Sequence, residues 1–264
     1  MQGLTWPARR TARGATAGLH RSRLRGPAPE FSEYRLYRQG DDLRRLDWKL
    51  LARTERAFLR LAEDRAVLGT LLVVDGSASM AYPEGPRSKW QVAGAVALGL
   101  AACARAGGDP VGLVVGDRVL PPRTRRGILG EMAQAFAVAP GGTWRVPDAP
   151  WPRRVAVVSD FLDAGAGLTR RVAEHVAAGG EAYAAHVVAR EELDPPGDAL
   201  LAVDPEEPSV RRALGPDTRA AYRAAFDAWR ASIAARWHSL GAVYHECTTD
   251  EDPATVVRRI VRRP

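Results

Sequence analysis

The stretch that decides the fold is Val67-Leu68-Gly69-Thr70-Leu71-Leu72-Val73-Val74, followed directly by Asp75-Gly76-Ser77-Ala78-Ser79. A mostly apolar run that ends at Asp, Gly and Ser is typical of a strand buried on both faces of a parallel sheet. Open sheets of this kind bind ligands outside the carboxyl ends of their strands. Asp75, Ser77 and Ser79 are therefore candidate ligand residues, although the same residue types also form ordinary side-chain-capped turns.

Two later residues extend this set of oxygen donors. Thr143 follows a conformationally permissive glycine pair in Gly141-Gly142-Thr143, and Asp160 ends a second apolar run, Val155 to Ser159. Carboxylate and hydroxyl oxygens suit a hard cation with near-octahedral geometry, whereas soft metals prefer thiolates. Together the five residues predict a Mg²⁺ site, with Mn²⁺ or Ca²⁺ as possible substitutes.

The rest of the chain predicts a doubly wound α/β fold with a mainly parallel sheet, because strand patterns alternate with helix patterns. The predicted strands are 67–75, 111–116, 118–120, 153–159, 182–189 and 242–248, with a hairpin formed by 199–203 and 209–214. The predicted helices are 88–107, 125–138, 168–179, 217–240 and 253–262.

Length and charge divide the chain into three predicted parts. The 264 residues, 46% hydrophobic, suffice for one substantial core, which we assign to residues 67–264. Residues 30–66 are expected to form an ordered extension. Residues 1–29 are expected to form a flexible basic arm, since their charged residues are all arginines and the first acidic residue is Glu30. Much of the net charge of +7 lies in that arm.

Several protein classes are disfavoured by what the sequence lacks. No apolar run reaches the roughly 18 residues of a membrane span, so we expect no transmembrane segment and a cytoplasmic protein. Cys103 and Cys247 lie in apolar patterns, which indicates neither a disulfide framework nor a thiolate metal cluster. Neither a Walker A loop nor a dinucleotide fingerprint is present, so we expect no nucleotide site.

An upstream block adds a family resemblance. Glu30-Phe31-Ser32-Glu33-Tyr34-Arg35 leads to Gly40-Asp41-Asp42-Leu43-Arg44-Arg45-Leu46-Asp47-Trp48 and then Ala52-Arg53-Thr54. With Asp75 to Met80 and the two later loops, this block resembles the bacterial DUF58 family (domain of unknown function 58), in which such a signature precedes a von Willebrand factor A-like domain. Pro27 and Pro29 depart from the family pattern, where glycines are common.

The resemblance implies a function as well as a fold. The order of Asp75, Ser77, Ser79, Thr143 and Asp160 resembles the metal-ion-dependent adhesion site, where a partner's acidic side chain completes the coordination of the metal. DUF58 proteins are commonly encoded beside AAA+ ATPases of the MoxR type. The resemblance therefore implies a non-enzymatic adaptor or co-chaperone that works with such an ATPase on a client.

Two other functions stay open at the level of sequence. The basic arm permits binding to nucleic acid or an anionic surface, although the lack of interleaved aromatic residues favours a solvated arm. Asp75 also occupies the position of a phosphohydrolase nucleophile, but Ser77 stands where such enzymes carry a second acid. The acidic and Arg residues of the upstream block, together with Trp48, are expected to serve local pairing and packing.

Overall fold

The computed structural model describes residues 4–9, 17–21, 33–38, 41, 46–61, 65–141, 150–162, 166–196, 201–204, 207, 209–213 and 215–262. These residues divide into two compact units. The smaller unit is Pro7–Leu68, and the larger contains Gly69–Pro264 together with the segment that ends at Trp6. None of the helices in the described ranges is long and apolar enough to span a membrane.

The smaller unit consists of short elements: β1 (Ala17–Arg21), β2 (Glu33–Leu36), α1 (Trp48–Thr54), β3 (Phe58–Leu61) and β4 (Arg65–Ala66). Strands β1 and β4 pair antiparallel, as do β2 and β3.

Asp47 of the upstream block holds the start of α1. Its Oδ1 accepts hydrogen bonds from the backbone amides of Lys49 and Leu50 at 3.1 and 3.0 Å, and its Oδ2 accepts one from the Tyr34 hydroxyl at 2.8 Å. An aspartate at this position satisfies amides that the helix itself leaves unpaired. The expectation that Trp48 serves local packing is wrong, because this residue is 62% exposed.

The larger unit alternates strands and helices. Its strands are β5 (Thr70–Val74), β6 (Val111–Val115), β7 (Arg118–Arg123), β8 (Arg154–Ser159), β9 (Glu181–Val188), β10 (Leu201–Val203), β11 (Arg211–Ala213) and β12 (Val243–Thr248). Its helices are α2 (Lys89–Ala106), α3 (Ile128–Ala135), α4 (Ala166–Ala177), α5 (Arg190–Leu193), α6 (Pro216–Ser239) and α7 (Pro253–Val261), with a short 3₁₀ helix at Ala78–Ala81.

The central sheet has the order β12-β9-β8-β5-β6-β7 among the described residues. All neighbouring pairs are parallel except β6 and β7. Strand β7 returns through the two-residue turn Gly116-Asp117, where Gly116 has φ +55°, a conformation that favours glycine. As the last strand of the sheet it tolerates Pro121 and Pro122, which cannot donate to a neighbouring strand. The predicted doubly wound, mainly parallel α/β fold is confirmed.

Helices cover both faces of this sheet. On one face, Leu72 and Val74 pack with Trp90 and Val96 of α2 and with α7. On the other face, Leu71 and Val73 pack in a cluster that includes residues of α4 and α6. This burial on both sides explains why the β5 sequence is a continuous apolar run rather than an alternating one.

The first residues of the chain differ from the expected flexible arm. Trp6 is 1% exposed, and its ring lies edge-on to Tyr183 of β9 with centroids 4.8 Å apart. Its carbonyl oxygen accepts a hydrogen bond from Arg154 at 3.1 Å. The Arg-rich composition of this segment did not predict the burial of Trp6, because composition reports the average character of a segment and not the burial of one aromatic residue.

Candidate metal centre

Asp75 and Asp160 lie where the strand order of the sheet changes direction. Asp75 follows β5, and Asp160 follows the adjacent parallel strand β8. The chain runs from β5 to β6 on one side, whereas β8 begins the half of the sheet on the other side. Doubly wound sheets bind ligands in the crevice at this switch point. The fold therefore brings both predicted carboxylates to the edge where a ligand site is expected.

The Asp75 carboxylate is buried, with 1% of the residue exposed. Its Oδ1 accepts a hydrogen bond from the Ser77 amide at 2.9 Å, and its Oδ2 accepts one from the Ser159 hydroxyl at 2.6 Å. Burial, followed by the negative charge of Asp160, raises the pKa of Asp75 above its usual value despite these hydrogen bonds. A nearby cation would relieve both effects.

Ser77 and Ser79 present their hydroxyls to each other. The Ser77 Oγ lies 3.0 Å from the Ser79 Oγ, and the residues are 6% and 1% exposed. The 3₁₀ helix that starts at Ala78 produces this approach, because its tight turn returns the chain toward Ser77, whose carbonyl accepts from the Met80 amide at 3.2 Å. Two hydroxyl oxygens thus lie together beside Asp75.

The third predicted loop is described only at its start. The amide of Gly141, whose φ is +148°, donates a hydrogen bond to the carbonyl of Gly76 at 2.8 Å. This contact joins the start of the loop to the centre of the Asp75–Ser79 segment. Thr143 lies outside the described residues.

Asp160 carries a partner that the sequence interpretation missed. The Nζ of Lys89 donates to Asp160 Oδ2 and to Glu192 Oε1, both at 2.7 Å. Lys89 is 1% exposed, and Glu192 Oε2 accepts from the Ala189 amide at 2.7 Å at the start of α5. Burial alone would lower the pKa of Lys89, but the two carboxylates outweigh burial and raise that pKa.

One sequence signal could have identified Lys89. Of 38 basic residues only Lys49 and Lys89 are lysines. A chain that uses arginine almost everywhere has a lysine at the first position of an apolar helix, where a long cationic side chain must be buried. Lysine presents a compact point charge, which two carboxylate oxygens from different elements can share.

The backbone after Asp160 is strained. Phe161 has φ +55°, which a bulky residue rarely adopts, and its amide donates to Ser159 Oγ at 2.7 Å. The Leu162 amide donates to Asp160 Oδ1 at 3.2 Å. The ring of Phe161 is buried against Trp237 of α6, and this packing holds the unusual conformation in place.

The donor set fits a hard cation. Within the part of the chain that the structure describes, no three side chains of His, Cys, Asp or Glu converge in a group that could hold a metal. The described donors are instead two carboxylates and two hydroxyls, which suit Mg²⁺ better than a soft metal.

Comparison with known families agrees with the upstream block. The sequence model of the family described as protein of unknown function DUF58 matches residues 33–235. This chain belongs to the DUF58 family. The matched range contains all five predicted ligand residues of this DUF58 protein, as well as Lys89 and Glu192.

Relatives of this DUF58 protein occur in mycobacteria. An uncharacterized protein of Mycobacterium tuberculosis strain H37Rv is 32% identical over 270 residues, which cover 95% of this chain and 84% of the relative. An uncharacterized protein of Mycobacterium bovis matches with the same identity and coverage.

Two solved structures are also similar. One is an aerotolerance-related membrane protein from Bacteroides fragilis, with a TM-score of 0.47 and 13% identity over 73% of this chain and 96% of the other. The second is the conserved hypothetical protein BatB from Bacteroides thetaiotaomicron, with a TM-score of 0.46 and 14% identity over 74% of this chain and 97% of the other.

A cavity of about 320 Å³ adjoins the candidate metal centre of this DUF58 protein. Gly76 forms part of its wall, together with Trp90, Val115 and Ala135. Val138 lies at the same cavity and is 66% exposed. The site therefore borders a partly apolar concave surface, as many ligand sites do.

Proposed function

We propose that this DUF58 protein is a non-enzymatic, metal-dependent protein-interaction module with a von Willebrand factor A-like site. Asp75, Ser77, Ser79, Thr143 and Asp160 would hold Mg²⁺, or Mn²⁺ or Ca²⁺ in its place. When bound, the cation offers an open coordination position that an acidic side chain of a partner can fill. The buried side chains of the site would position that cation.

The observation that carries this proposal is the convergence of Asp75, Ser77, Ser79 and Asp160 at the switch point of the sheet. These side chains come from two loops, and all four residues are nearly inaccessible to solvent. Buried hydroxyls and carboxylates are costly unless they are hydrogen-bonded or bound to an ion. Asp75 and Asp160 lie close enough for the charge of Asp160 to raise the pKa of Asp75, and a bound cation would offset that repulsion.

The proposed partner is a MoxR-type AAA+ ATPase, with an adaptor or co-chaperone role in the assembly or maturation of a client. This part rests on the family, whose members are commonly encoded beside such ATPases. The adjoining apolar cavity supports protein docking, because it offers a concave surface next to the metal. An acidic residue of the ATPase or of the client would reach the metal.

Titration of metal-depleted protein with Mg²⁺, Mn²⁺ or Ca²⁺ by calorimetry tests the metal site. We expect one site per chain in the wild type and none after Asp75→Ala or Ser77→Ala. Asp227→Asn is a matched control, because Asp227 lies on α6 and its side chain is 67% exposed. Equal binding by the wild type and Asp75→Ala would remove the metal from the proposal.

Capture of partners from native lysate tests the interaction. Wild type in Mg²⁺, wild type with EDTA, and Asp75→Ala are compared by mass spectrometry. We expect an AAA+ ATPase that only the metal-loaded wild type retains. The same partners under all three conditions would exclude metal-dependent docking, and turnover of a phosphoester by the purified wild type but not by Asp75→Ala would indicate a hydrolase instead.

A further inference from the structure

Lys89 is a cation that the protein places within its own candidate metal centre. Its Nζ lies 2.7 Å from Asp160 Oδ2 and 2.7 Å from Glu192 Oε1. The partners are 71 and 103 residues away in sequence, so the fold alone brings the three groups together. Removing an ammonium from water is energetically costly. A lysine buried this deeply, on a carboxylate that belongs to the predicted ligand set, requires an explanation.

The formal charges of the site explain why a lysine is buried there. Asp75, Asp160 and Glu192 contribute three negative charges and Lys89 one positive charge, so the site carries −2. A divalent cation brings it to zero, and a partner carboxylate then brings it to −1. Without Lys89, the metal-loaded site would already carry −1 before the partner carboxylate arrives, and −2 afterwards. Buried charges of like sign repel strongly because little solvent screens them.

We propose that Lys89 is a specificity-determining residue of the candidate metal centre, weakening its hold on the divalent cation while enabling the metal-loaded site to accept a carboxylate. This inference rests on the proposed function. It assigns opposite effects to one side chain, since the same positive charge repels the cation and attracts the anionic ligand. A residue with a purely structural role would change both steps in the same direction.

The experiment measures the two steps separately with the full chain. Mn²⁺ is titrated into metal-depleted protein by calorimetry, and acetate is then titrated into the Mn²⁺-loaded protein while water-proton relaxation reports displacement of metal-bound water. For Lys89→Met we expect Mn²⁺ affinity to rise by about tenfold or more and acetate affinity to fall by a similar factor.

Glu192→Gln is the second variant, because Lys89→Met leaves two buried carboxylates unpaired and can impair folding. Glutamine keeps a carbonyl oxygen that can accept from the Ala189 amide or from Lys89. Removing a negative charge should weaken Mn²⁺ binding and strengthen acetate binding. The double variant Lys89→Met/Glu192→Gln restores the formal charge, and both affinities should return toward the wild type.

Two outcomes would overturn the inference, and they differ from failure of the proposed function. If the wild type binds Mn²⁺ but Glu192→Gln moves both affinities in one direction, Lys89 and Glu192 act as structural groups. If Glu192→Gln changes neither affinity, their charges do not reach the metal. If the wild type binds no Mn²⁺, the proposed metal site fails and the role of Lys89 fails with it.

Discussion

Within the described residues, each end of the central sheet buries a cation between two carboxylates, and the two ends use that cation differently. At the amino end the cation is Arg154, the first residue of β8, which is 0% exposed. At the carboxyl end it is Lys89, the first residue of α2, which is 1% exposed. Arginine offers a planar fork of five donors, whereas lysine offers a single compact charge.

The amino end is a closed structural cluster. Arg154 Nε lies 3.2 Å from Glu181 Oε2, and Nη1 lies 3.6 Å from Asp109 Oδ2 and 3.1 Å from the Trp6 carbonyl. The guanidinium also stacks over the Trp6 ring at 4.5 Å. Several partners use different parts of the same planar group. This arrangement fixes the first segment of the chain against the larger unit to which it belongs.

The carboxyl end contains more negative charge than its lysine can balance. Besides Asp160 and Glu192 it holds Asp75, whose pKa is raised by burial and by the neighbouring carboxylate. It also holds the paired hydroxyls of Ser77 and Ser79, and the strained backbone of Phe161. Strain and unbalanced charge concentrate at functional sites, because the rest of the fold must compensate for them. The amino end also keeps a formal charge of −1, from Arg154 with Asp109 and Glu181, so the carboxyl end differs by its larger excess of −2 together with the paired hydroxyls and the strained backbone.

Arg154→Met should produce the largest loss of stability. It removes the Arg154 guanidinium from the buried carboxylates of Glu181 and Asp109, and breaking a buried pair in this way costs about 3–5 kcal/mol. Urea denaturation of the metal-free protein measures the loss. Arg125→Met is the control, because Arg125 pairs with Glu131 at the surface and should contribute less than about 1 kcal/mol. A loss confined to Mn²⁺ affinity would contradict the structural role of Arg154.

The sequence predicted the fold better than it predicted these clusters. Long periodic segments were located to within a few residues, as for α2, predicted at 88–107 and observed at Lys89–Ala106. The hairpin of β10 and β11 was also found near its predicted bounds. Periodicity reports which face of an element is buried, and that information is local.

The interactions that the sequence did not reveal are those between distant elements. Lys89 and Glu192 are 103 residues apart, and Glu192 belongs to α5, a helix of four residues that is too short for a periodic signal. The burial of Trp6 was also not predicted, because its partner Arg154 is 148 residues away. For the candidate centre, motif order predicted Asp75, Ser77, Ser79 and Asp160 as ligands, which the fold brings to one edge of the sheet, but it did not predict the lysine bound to Asp160.

Acid should destabilise the carboxyl end through His186, which lies on β9 opposite Ser159. Burial, partly offset by Asp160, lowers the pKa of His186 to about 4 from an ordinary value of 6.5. Between pH 6.5 and 4 the unfolded chain binds a proton that the folded chain does not, so stability falls as the pH falls, by up to about 3 kcal/mol. His186→Gln should remove that part of the loss in urea denaturation at pH 7, 5 and 4. Retention of the whole acid-dependent loss in the variant would show that another group is responsible.

Trp6→Leu should cost about 2 kcal/mol. Leucine keeps an apolar side chain but loses the stacking with Arg154 and the edge contact with Tyr183. Thermal denaturation measures the change. Trp48→Leu is the matched control, because Trp48 is 62% exposed and a surface change of this kind usually stays within about 0.5 kcal/mol. Equal effects of the two changes would argue against an anchored first segment.

Of these substitutions, Asp75→Asn should change the stability of the metal-free protein least. It should stabilise the fold slightly, whereas the two substitutions at the amino end of the sheet should destabilise it. The asparagine Oδ1 can still accept from the Ser77 amide, and Nδ2 can donate to the Ser159 Oγ, so both contacts keep a hydrogen bond, with its direction reversed at Ser159. The change removes a buried charge that burial and Asp160 disfavour. Replacing a buried charge with a neutral group of the same shape is often neutral or stabilising, so we expect stability within about 1 kcal/mol of the wild type, on the stabilising side.

Metal affinity should fall sharply in the same protein, as calorimetry with Mn²⁺ would show. A loss of more than about 2 kcal/mol of stability would instead place Asp75 with Arg154 among the structural residues, because a side chain selected to bind a cation has no reason to stabilise the fold in its absence.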